Sequence, residues 1–428
     1  MRLATPGTPH LTYCTNIHAG ETWQDIRASL EGPVLAVKRA VQPTRPFGVG
    51  LRLSAQAAEE LAREGEMDQL CAFLAAHDLY VFTINGFPYG QFHGTRVKEQ
   101  VYLPDWSDDR RLVYTDRLAR HLAALLPEGT LGSISTVPCG QEALTPSNVT
   151  SIGSQTARVA RGRGEAPRAL PEEGGRERPP LIVGAFSERL LAHAATLHGI
   201  RETTGKTIVL ALEPEPCCFL ETARDTIAFF QQHLFSRDAI AWFSKLTGLA
   251  PSASEDSLRR HLGACLDTCH MAVMHEDPTS ALRSLSAAGI RIAKIQLSSA
   301  LEVPCLSHAE VRTALAAMAN DVYLHQVVAG DGSGLTHYLD LPLALASPTK
   351  HALARVHFHV PLYLADFGLF RGTQAFLREV LAEVRAEAIA PHLEVETYTF
   401  DVLPEEYRRR GVVSAVADEL LWVLEQLH

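Results

Sequence analysis

The sequence predicts a single (β/α)8 TIM-barrel domain over residues 1–428. Short apolar runs alternate with stretches of helical periodicity along the whole chain, which is typical of parallel strands joined by right-handed crossovers. Two of these runs end directly in an acid, where 208–212 leads into Glu213 and 264–266 leads into Asp267. Because the carboxyl ends of barrel strands meet at one mouth, these acids predict a functional site there.

About ten strand candidates alternate with helix candidates, and eight of them fit the barrel. The eight are 11–17, 49–54, 79–85, 131–137, 208–212, 263–267, 290–298 and 393–399. The two extra candidates, 322–328 and 355–362, predict inserted strands at about 320–362, between strands seven and eight, although either of them could itself be a barrel strand. An open doubly wound sheet is the alternative, but no glycine-rich phosphate turn follows an early strand.

Two segments between the predicted strands are expected to be long excursions. Residues 151–180 are rich in Arg, Gly, Glu and Pro and nearly lack large apolar side chains, which predicts a mobile polar insertion. Residues 86–106 are rich in aromatic side chains and follow the third strand, so we expect this long loop to lie over the mouth. An Ω-loop packed on its own aromatic residues is the alternative for that loop.

Composition excludes some classes of function. The net charge of −10 disfavours a nucleic-acid or anionic-membrane binder, since both need a basic surface. The eight cysteines lack the paired spacing of a zinc ribbon, and several lie in apolar runs, which indicates a reducing, cytoplasmic location. We see no secretory signal and no apolar stretch near the ~20 residues of a membrane span, so a membrane-embedded protein is not expected.

Carboxylate and imidazole side chains recur at the predicted strand ends. His270 follows Asp267 by three residues, and Glu394 and Glu396 alternate along the last strand. Such groups are ligands for divalent cations when several of them meet at one point. The alternative is that each strand-end acid merely caps the helix that follows it.

The pattern resembles the xylose-isomerase-like TIM-barrel superfamily, which includes sugar epimerases and endonuclease-IV-type enzymes. Its members carry a Glu after strand five, an Asp with a His three residues later after strand six, a His after strand seven and a Glu after strand eight. Glu213, Asp267 with His270, and Glu396 stand at matching positions. Gln296 stands where the strand-seven His is expected.

The resemblance therefore implies a metal site with a changed strand-seven position. Either Gln296 is that ligand or His359 supplies it instead. The endonuclease-type members have an Asp-x-His pair before the final Glu, and here His357-x-His359 lies in that order with His in place of Asp. The implied ion is a divalent metal, namely Mn²⁺, Zn²⁺, Mg²⁺ or Co²⁺. Its implied ligands are Glu213, Asp267, His359 and Glu396, with Gln296 as the alternative at the strand-seven position.

Longer motifs resemble a narrower group, the metabolite traffic protein EboE family. They include TYCTNIHAGETW, NGFPYGQFHG, VYLPDW, CLDTCH, KIQLSSAL, HFHVPL and LEVETYT, and they extend over nearly the whole chain. This resemblance implies a protein similar to sugar-phosphate isomerases and epimerases. It further implies partners from the same gene cluster, including a prenyltransferase-like membrane protein, in a pathway that exports a small metabolite.

From these observations we expect a metal-dependent isomerase or epimerase that acts on a small polyol or sugar-like metabolite. Glu213 and Glu396 are the expected catalytic proton-transfer pair. The expected substrate-binding residues are His270, Lys294, His18, His93, His357 and His325. Two alternatives remain: metal-dependent phosphoester hydrolysis of the endonuclease IV type, and a non-catalytic protein that binds and hands over its metabolite.

Overall fold

The computed structural model describes residues 1–93, 96–141, 180–319, 322–330, 334–347, 353–397 and 409–428. The polar insertion predicted at 151–180 lies outside these ranges, apart from Pro180 at the start of a helix. Within these ranges the strands are β1 (His10–Tyr13), β2 (Phe47–Arg52), β3 (Leu79–Asn85), β4 (Gly132–Thr136), β5 (Ile208–Leu212), β6 (Leu262–Asp267), β7 (Arg291–Leu297), β8 (Leu301–Pro304), β9 (Val327–Gly330), β10 (Leu335–Tyr338), β11 (Leu353–Val356), β12 (Arg371–Gly372) and β13 (His392–Val395).

Eight of these strands form one parallel sheet in the order β1-β13-β7-β6-β5-β4-β3-β2. A parallel bridge from Cys14, just after β1, to Gly50 of β2 joins the two edges of the sheet. The prediction of a (β/α)8 barrel is confirmed, and the open doubly wound alternative is wrong. Each of the barrel strands β1 to β7 is connected to the next barrel strand through at least one helix. β13 is the eighth barrel strand, because β8 to β12 belong to the second sheet.

The helices are α1 (Trp23–Ser29), α2 (Leu35–Val41), α3 (Ala55–Leu61), α4 (Glu66–Ala76), α5 (Asp109–Leu125), α6 (Pro180–Thr204), α7 (Ala223–Phe229), α8 (Arg237–Thr247), α9 (Pro251–His261), α10 (Thr268–Val273), α11 (Pro278–Ala287), α12 (Ala309–Met318), α13 (Leu341–Ala346), α14 (Gln374–Ala386) and α15 (Val412–Leu427). α3 and α4 are separate helices, because Gly65 between them takes a left-handed conformation with φ of 80°. Ser54 caps the first of them, its hydroxyl accepting from the Ala57 N–H at 3.0 Å.

A second sheet lies between β7 and β13 in the sequence. Its five strands are antiparallel, in the order β10-β9-β11-β8-β12. Of the two strands expected here, 322–328 and 355–362, only parts are strand, and neither joins the barrel. His357 N donates to Gln326 O at 2.8 Å, which extends the β9–β11 pairing by one bond, whereas Val360 N donates to Ser299 O at 2.9 Å, outside this sheet.

The barrel interior contains a buried ion pair beneath the mouth. Lys294 of β7 contacts the Glu394 carboxylate of β13, and both side chains are fully buried. Glu394 extends toward β2, where Gly50 leaves room for it. Among the described residues, no helix is long and apolar enough to cross a membrane.

Candidate metal centre

Three carboxylates meet at the mouth because three of the barrel strands, β5, β6 and β13, end there. Asp267 is the last residue of β6, while Glu213 and Glu396 directly follow β5 and β13. Backbone bonds fix both glutamates, since Glu213 N donates to Thr136 O at 3.1 Å and Glu396 N donates to Leu297 O at 3.0 Å. One oxygen from each acid lies within 4.8 Å of the others, and all three side chains are buried.

Asp267 uses only one of its two oxygens within the protein. Oδ1 accepts from the backbone N–H groups of Cys269 at 2.7 Å and His270 at 3.2 Å, and from the hydroxyl of Ser298. Oδ2 is buried and has no hydrogen-bond partner among the described residues, and the same is true of Glu213 Oε2. Buried carboxylate oxygens without partners are costly unless a cation or a proton compensates them.

Glu396 is held by three amide side chains. Asn16 Nδ2 donates to its Oε1 at 2.5 Å, and Asn85 Nδ2 donates to the same oxygen at 3.1 Å. Gln296 Nε2 donates to Oε2, while Gln296 Oε1 lies 2.9 Å from the Cys265 thiol. In this arrangement Gln296 presents a donor to Glu396, so it orients that carboxylate and offers no oxygen to a metal.

Two histidines face each other through their Nε2 atoms. His270 Nδ1 donates to the Pro214 carbonyl at 3.0 Å, and His357 Nδ1 donates to Gln326 Oε1 at 2.7 Å. The two Nε2 atoms lie 3.1 Å apart. Two metal–imidazole bonds of about 2.0–2.1 Å place nitrogens roughly this far apart, so the pair fits two ligands of one cation.

His359 adds a third imidazole with the same tautomer. Its Nδ1 donates to the backbone carbonyl of Glu396 at 2.7 Å, which directs Nε2 to the mouth. Single donor atoms of Asp267, His270 and His359 lie within 4.8 Å of one another, as do those of Glu215, His270 and His357. Asp267 thus belongs to both the carboxylate group and an imidazole group.

Sequence reasoning gave no role to Glu215, Gln326, Tyr102, Asn16 or Asn85, all of which hold the site. Glu215 Oε1 accepts from Tyr102 Oη at 2.5 Å and from Gln326 Nε2 at 3.2 Å, and it lies 3.4 Å from His357 Nδ1. The alternating acids of LEPEP were the available signal for Glu215. Nothing in the pattern points to Gln326, which comes from the inserted segment.

Burial and mutual repulsion decide the protonation of the carboxylates. The pKa of Glu213 is raised well above its usual value by burial and then by the charges of Glu396 and Asp267. Burial likewise raises the pKa of Glu396, with Asp267 and Glu394 adding to it. Burial lowers the pKa of His357 well below its usual value, so this imidazole is neutral. Protonated acids and neutral imidazoles are what a site offers when a divalent cation has not displaced the protons.

The donor set therefore fits a divalent metal. Oxygen ligands from Glu213, Asp267 and Glu396, with imidazole nitrogens beside them, suit Mn²⁺, Zn²⁺, Co²⁺ or Mg²⁺. The partnerless oxygens of Glu213 and Asp267 are the atoms such an ion would satisfy.

Four residues expected to bind substrate do not line the pocket described below. Lys294 pairs with Glu394 and donates to Ser135 Oγ at 3.3 Å, and His325 Nδ1 lies 3.0 Å from the His357 carbonyl. The other two are His18, whose Nε2 is 2.9 Å from Tyr13 Oη, and His93, whose Nε2 is 2.5 Å from Asn16 O. The structure brings together the six residues Glu213, Asp267, His270, His357, His359 and Glu396. Lys294, His325, His18 and His93 instead make the contacts given above.

A pocket opens from this centre to the surface and encloses about 540 Å³, including solvent at its opening. Its lining residues are Asn16, Asn85, Phe87, Pro88, Phe92, Val97, Lys98, Val101, Tyr102, Glu213, Glu215, His270, Tyr323, Leu324, His357, His359 and Glu396. The loop after β3 supplies seven of these residues, so the described part of the long aromatic loop lines the mouth.

Several solved structures are similar to this chain at low identity. A D-tagatose 3-epimerase-like protein covers 98% of this chain and 100% of its own, with 10% identity and a TM-score of 0.46. A D-psicose 3-epimerase with D-tagatose from Clostridium cellulolyticum H10 covers 98% of each chain, with 12% identity and a TM-score of 0.43. The IOLI protein with a binding zinc atom covers 98% of each chain, with 12% identity and a TM-score of 0.40. No family model and no curated protein matches the sequence. Because these identities and TM-scores are low, the barrel assignment rests on the strand order of this chain and not on the similar structures.

Proposed function

We propose that the protein is a metal-dependent isomerase or epimerase acting on a small polyol or sugar-like metabolite. One observation carries the proposal: Glu213 and Glu396 lie on either side of Asp267 at the bottom of a pocket, and both have a raised pKa. A carboxyl group whose pKa is brought closer to neutral is suited to accept and return a proton at a carbon atom. Two such groups beside one site allow one of them to remove a proton from a carbon atom and the other to return a proton to it.

The residues divide this task among them. Glu213, Asp267, Glu396 and His359 would hold the divalent ion, which supplies polarisation of a substrate carbonyl or hydroxyl when bound. Asn85 and Gln296 donate to Glu396 and keep its carboxylate oriented, and Asn16 does the same. His270 lines the pocket, where its imidazole is in position to bond a substrate hydroxyl.

Metal analysis and isotope exchange test this proposal. We expect purified protein to bind Mn²⁺ or Zn²⁺ and to gain thermal stability from it, because a ligand that binds only the folded state stabilises it. With a panel of ketoses and polyols in D₂O, wild type should incorporate deuterium at a carbon beside the carbonyl. Glu213→Gln and Glu396→Gln should each lose this exchange, while Glu128→Gln, which changes an exposed acid, should keep it. Absence of metal-dependent stabilisation would remove the basis of the proposal.

A second candidate, phosphoester hydrolysis of the endonuclease IV type, is favoured by the imidazole group beside Asp267. His270, His357 and His359 offer three imidazole nitrogens next to three carboxylates, enough for more than one cation. Metal clusters of this kind suit in-line displacement at phosphorus. Two or three metals per chain, with cleavage of an abasic-site duplex, would place this function first, although a net charge of −10 opposes nucleic-acid binding.

The pathway is a further part of the proposal and is supported by the motif resemblance described above. We place the protein in an Ebo-type metabolite export pathway in the cytoplasm, beside a prenyltransferase-like membrane partner. A protein that only binds and hands over its metabolite should work without proton transfer. If Glu213→Gln and Glu396→Gln both complement a deletion strain as well as wild type does, that carrier role replaces the enzymatic one.

A further inference from the structure

The pocket has a polar floor and apolar walls. Glu213, Glu396, His270, His357 and His359 form the floor around the candidate metal centre. The walls toward the opening consist mainly of aromatic and aliphatic side chains, namely Phe87, Pro88, Phe92, Val97, Val101, Tyr323 and Leu324. A small free sugar carries a hydroxyl group on most of its carbons and would leave much of this apolar wall without an apolar partner.

The apolar wall is a built feature in which two segments of the chain meet. Val97 N and Lys98 N both donate to the Val322 carbonyl, at 2.9 and 3.0 Å, which joins the loop after β3 to the inserted segment. The rings of Phe92 and Tyr323 pack with centroids 5.4 Å apart. Phe92, Val97 and Tyr323 form an apolar cluster of their own, separate from the main core. This cluster therefore shapes the pocket, whereas the barrel core already packs without it.

The charges of the pocket oppose a phosphate group. Among the lining residues that the structure describes, the one basic chain of Lys or Arg type is Lys98, and its Nζ is bound by Asp340 Oδ2 at 2.6 Å. Three acids, Glu213, Glu215 and Glu396, line the same cavity. A phosphate monoester would bring about two negative charges into a cavity in which the one described Lys or Arg side chain is already bound by Asp340.

We propose that the substrate is amphiphilic, with a hydroxylated or keto head that lacks phosphate and an apolar or aromatic remainder. This inference rests on the function proposed above, and it narrows its substrate class. The head lies on Glu213, Asp267 and Glu396, and the remainder lies against Phe92 and Val101.

Three hydroxamic acids with one metal-binding head test the proposal. Binding of acetohydroxamic, 4-phenylbutanohydroxamic and phosphonoacetohydroxamic acid to the Mn²⁺-loaded protein is measured by calorimetry. We expect the phenyl probe to bind at least about tenfold more tightly than the acetyl probe, because its ring is removed from water. We expect the phosphonate probe to bind more weakly than the acetyl probe.

Two variants test whether the apolar wall causes the tighter binding of the phenyl probe. In Phe92→Ala the ratio of phenyl to acetyl affinity should fall to less than about threefold, since the wall that receives the ring is lost. Val113→Ala, which shortens an exposed apolar side chain on α5, should leave the ratio unchanged.

Two results would overturn the proposal: equal affinity for the phenyl and acetyl probes, or tighter binding of the phosphonate. The underlying function is judged separately with metal-free protein. If acetohydroxamic acid binds equally well after the metal is removed, the metal-dependent function itself fails, whatever the ranking of the three probes.

Discussion

At the scale of single residues, the two carboxylate oxygens of Asp267 have different roles. Oδ1 accepts the Cys269 and His270 N–H groups and so caps α10, while Oδ2 has no partner among the described residues. In Asp267→Asn the amide oxygen can keep the cap, but the nitrogen replaces the oxygen that would bind metal. The free energy of unfolding of the metal-free protein should therefore change by less than about 1 kcal/mol. Affinity for Mn²⁺ should fall by at least about 100-fold.

The matched variant is Asp267→Ala, which removes both oxygens. It should lose metal affinity to the same extent and, in addition, about 1–2 kcal/mol of stability through the missing cap. Urea unfolding and titration calorimetry measure the two effects. Wild-type Mn²⁺ affinity in Asp267→Asn would show that Oδ2 is not a ligand.

The sequence predicts the site's acids but not the residues that hold them. Glu213, Asp267 and Glu396 are recognisable because each directly follows an apolar strand, and strand order then brings them together. Asn16 and Asn85 also follow strands β1 and β3, but uncharged amides at such positions carry no distinct signal. The donor role of Gln296 follows from its contact with Glu396, which only the folded chain creates.

At the scale of elements, the sequence marks the inserted segment but not its strand boundaries. Residues 322–328 and 355–362 alternate apolar and polar side chains, so they read as strands throughout. His325 and His357 lie just outside β9 and β11 and are buried from both sides. These residues are buried although they lie outside the strands, so the hydrophobic pattern continues past the strand ends. Periodicity alone therefore misplaces those ends.

Closure of the barrel at β2 depends on a glycine. A Cβ at Gly50 would lie 2.0 Å from Glu394 Oε1 and 2.6 Å from the Tyr13 carbonyl oxygen. Gly50→Ala must therefore displace the buried Glu394 and with it the ion pair to Lys294. We expect a loss of about 1–3 kcal/mol in the free energy of unfolding, as in other overpacked cores.

Gly32→Ala is the matched control for that prediction. A Cβ at Gly32 meets nothing within 4 Å, and the residue lies in the helical turn Leu30–Val34. This substitution should stabilise the protein by about 0.4–1 kcal/mol, because alanine restricts the unfolded chain. Urea unfolding of both variants gives the comparison, and similar stabilities would contradict the steric account of Gly50.

At the scale of the whole molecule, composition and site agree on the sign of the charge. The chain carries a net charge of −10, and the pocket places three glutamates around one cavity. Both lysines that the structure describes near these acids have an acidic partner of their own, since Lys294 pairs with Glu394 and Lys98 pairs with Asp340. Compensation of the glutamates by protons or by a bound cation then depends on pH.

Metal-induced stabilisation should therefore increase with pH. The raised pKa values mean that folded, metal-free protein keeps protons on Glu213 and Glu396 above pH 4.5, where the unfolded chain has lost them. The unfolded state then binds fewer protons, so the stability of the metal-free protein falls as pH rises through this window. A divalent cation replaces those protons, and it competes with fewer of them at higher pH.

Calorimetric melting with and without MnCl₂ at pH 5.5, 6.5 and 7.5 measures the effect. The readout is the difference in Tm between metal-loaded and metal-free protein, because buried histidines such as His357, with a lowered pKa, act on the absolute stability with the opposite sign. We expect this difference to grow across the series in wild type and to grow less in Glu213→Gln, which cannot release that proton. A difference that is constant with pH, or that shrinks as pH rises, would mean that Mn²⁺ binds without displacing protons from these carboxyl groups.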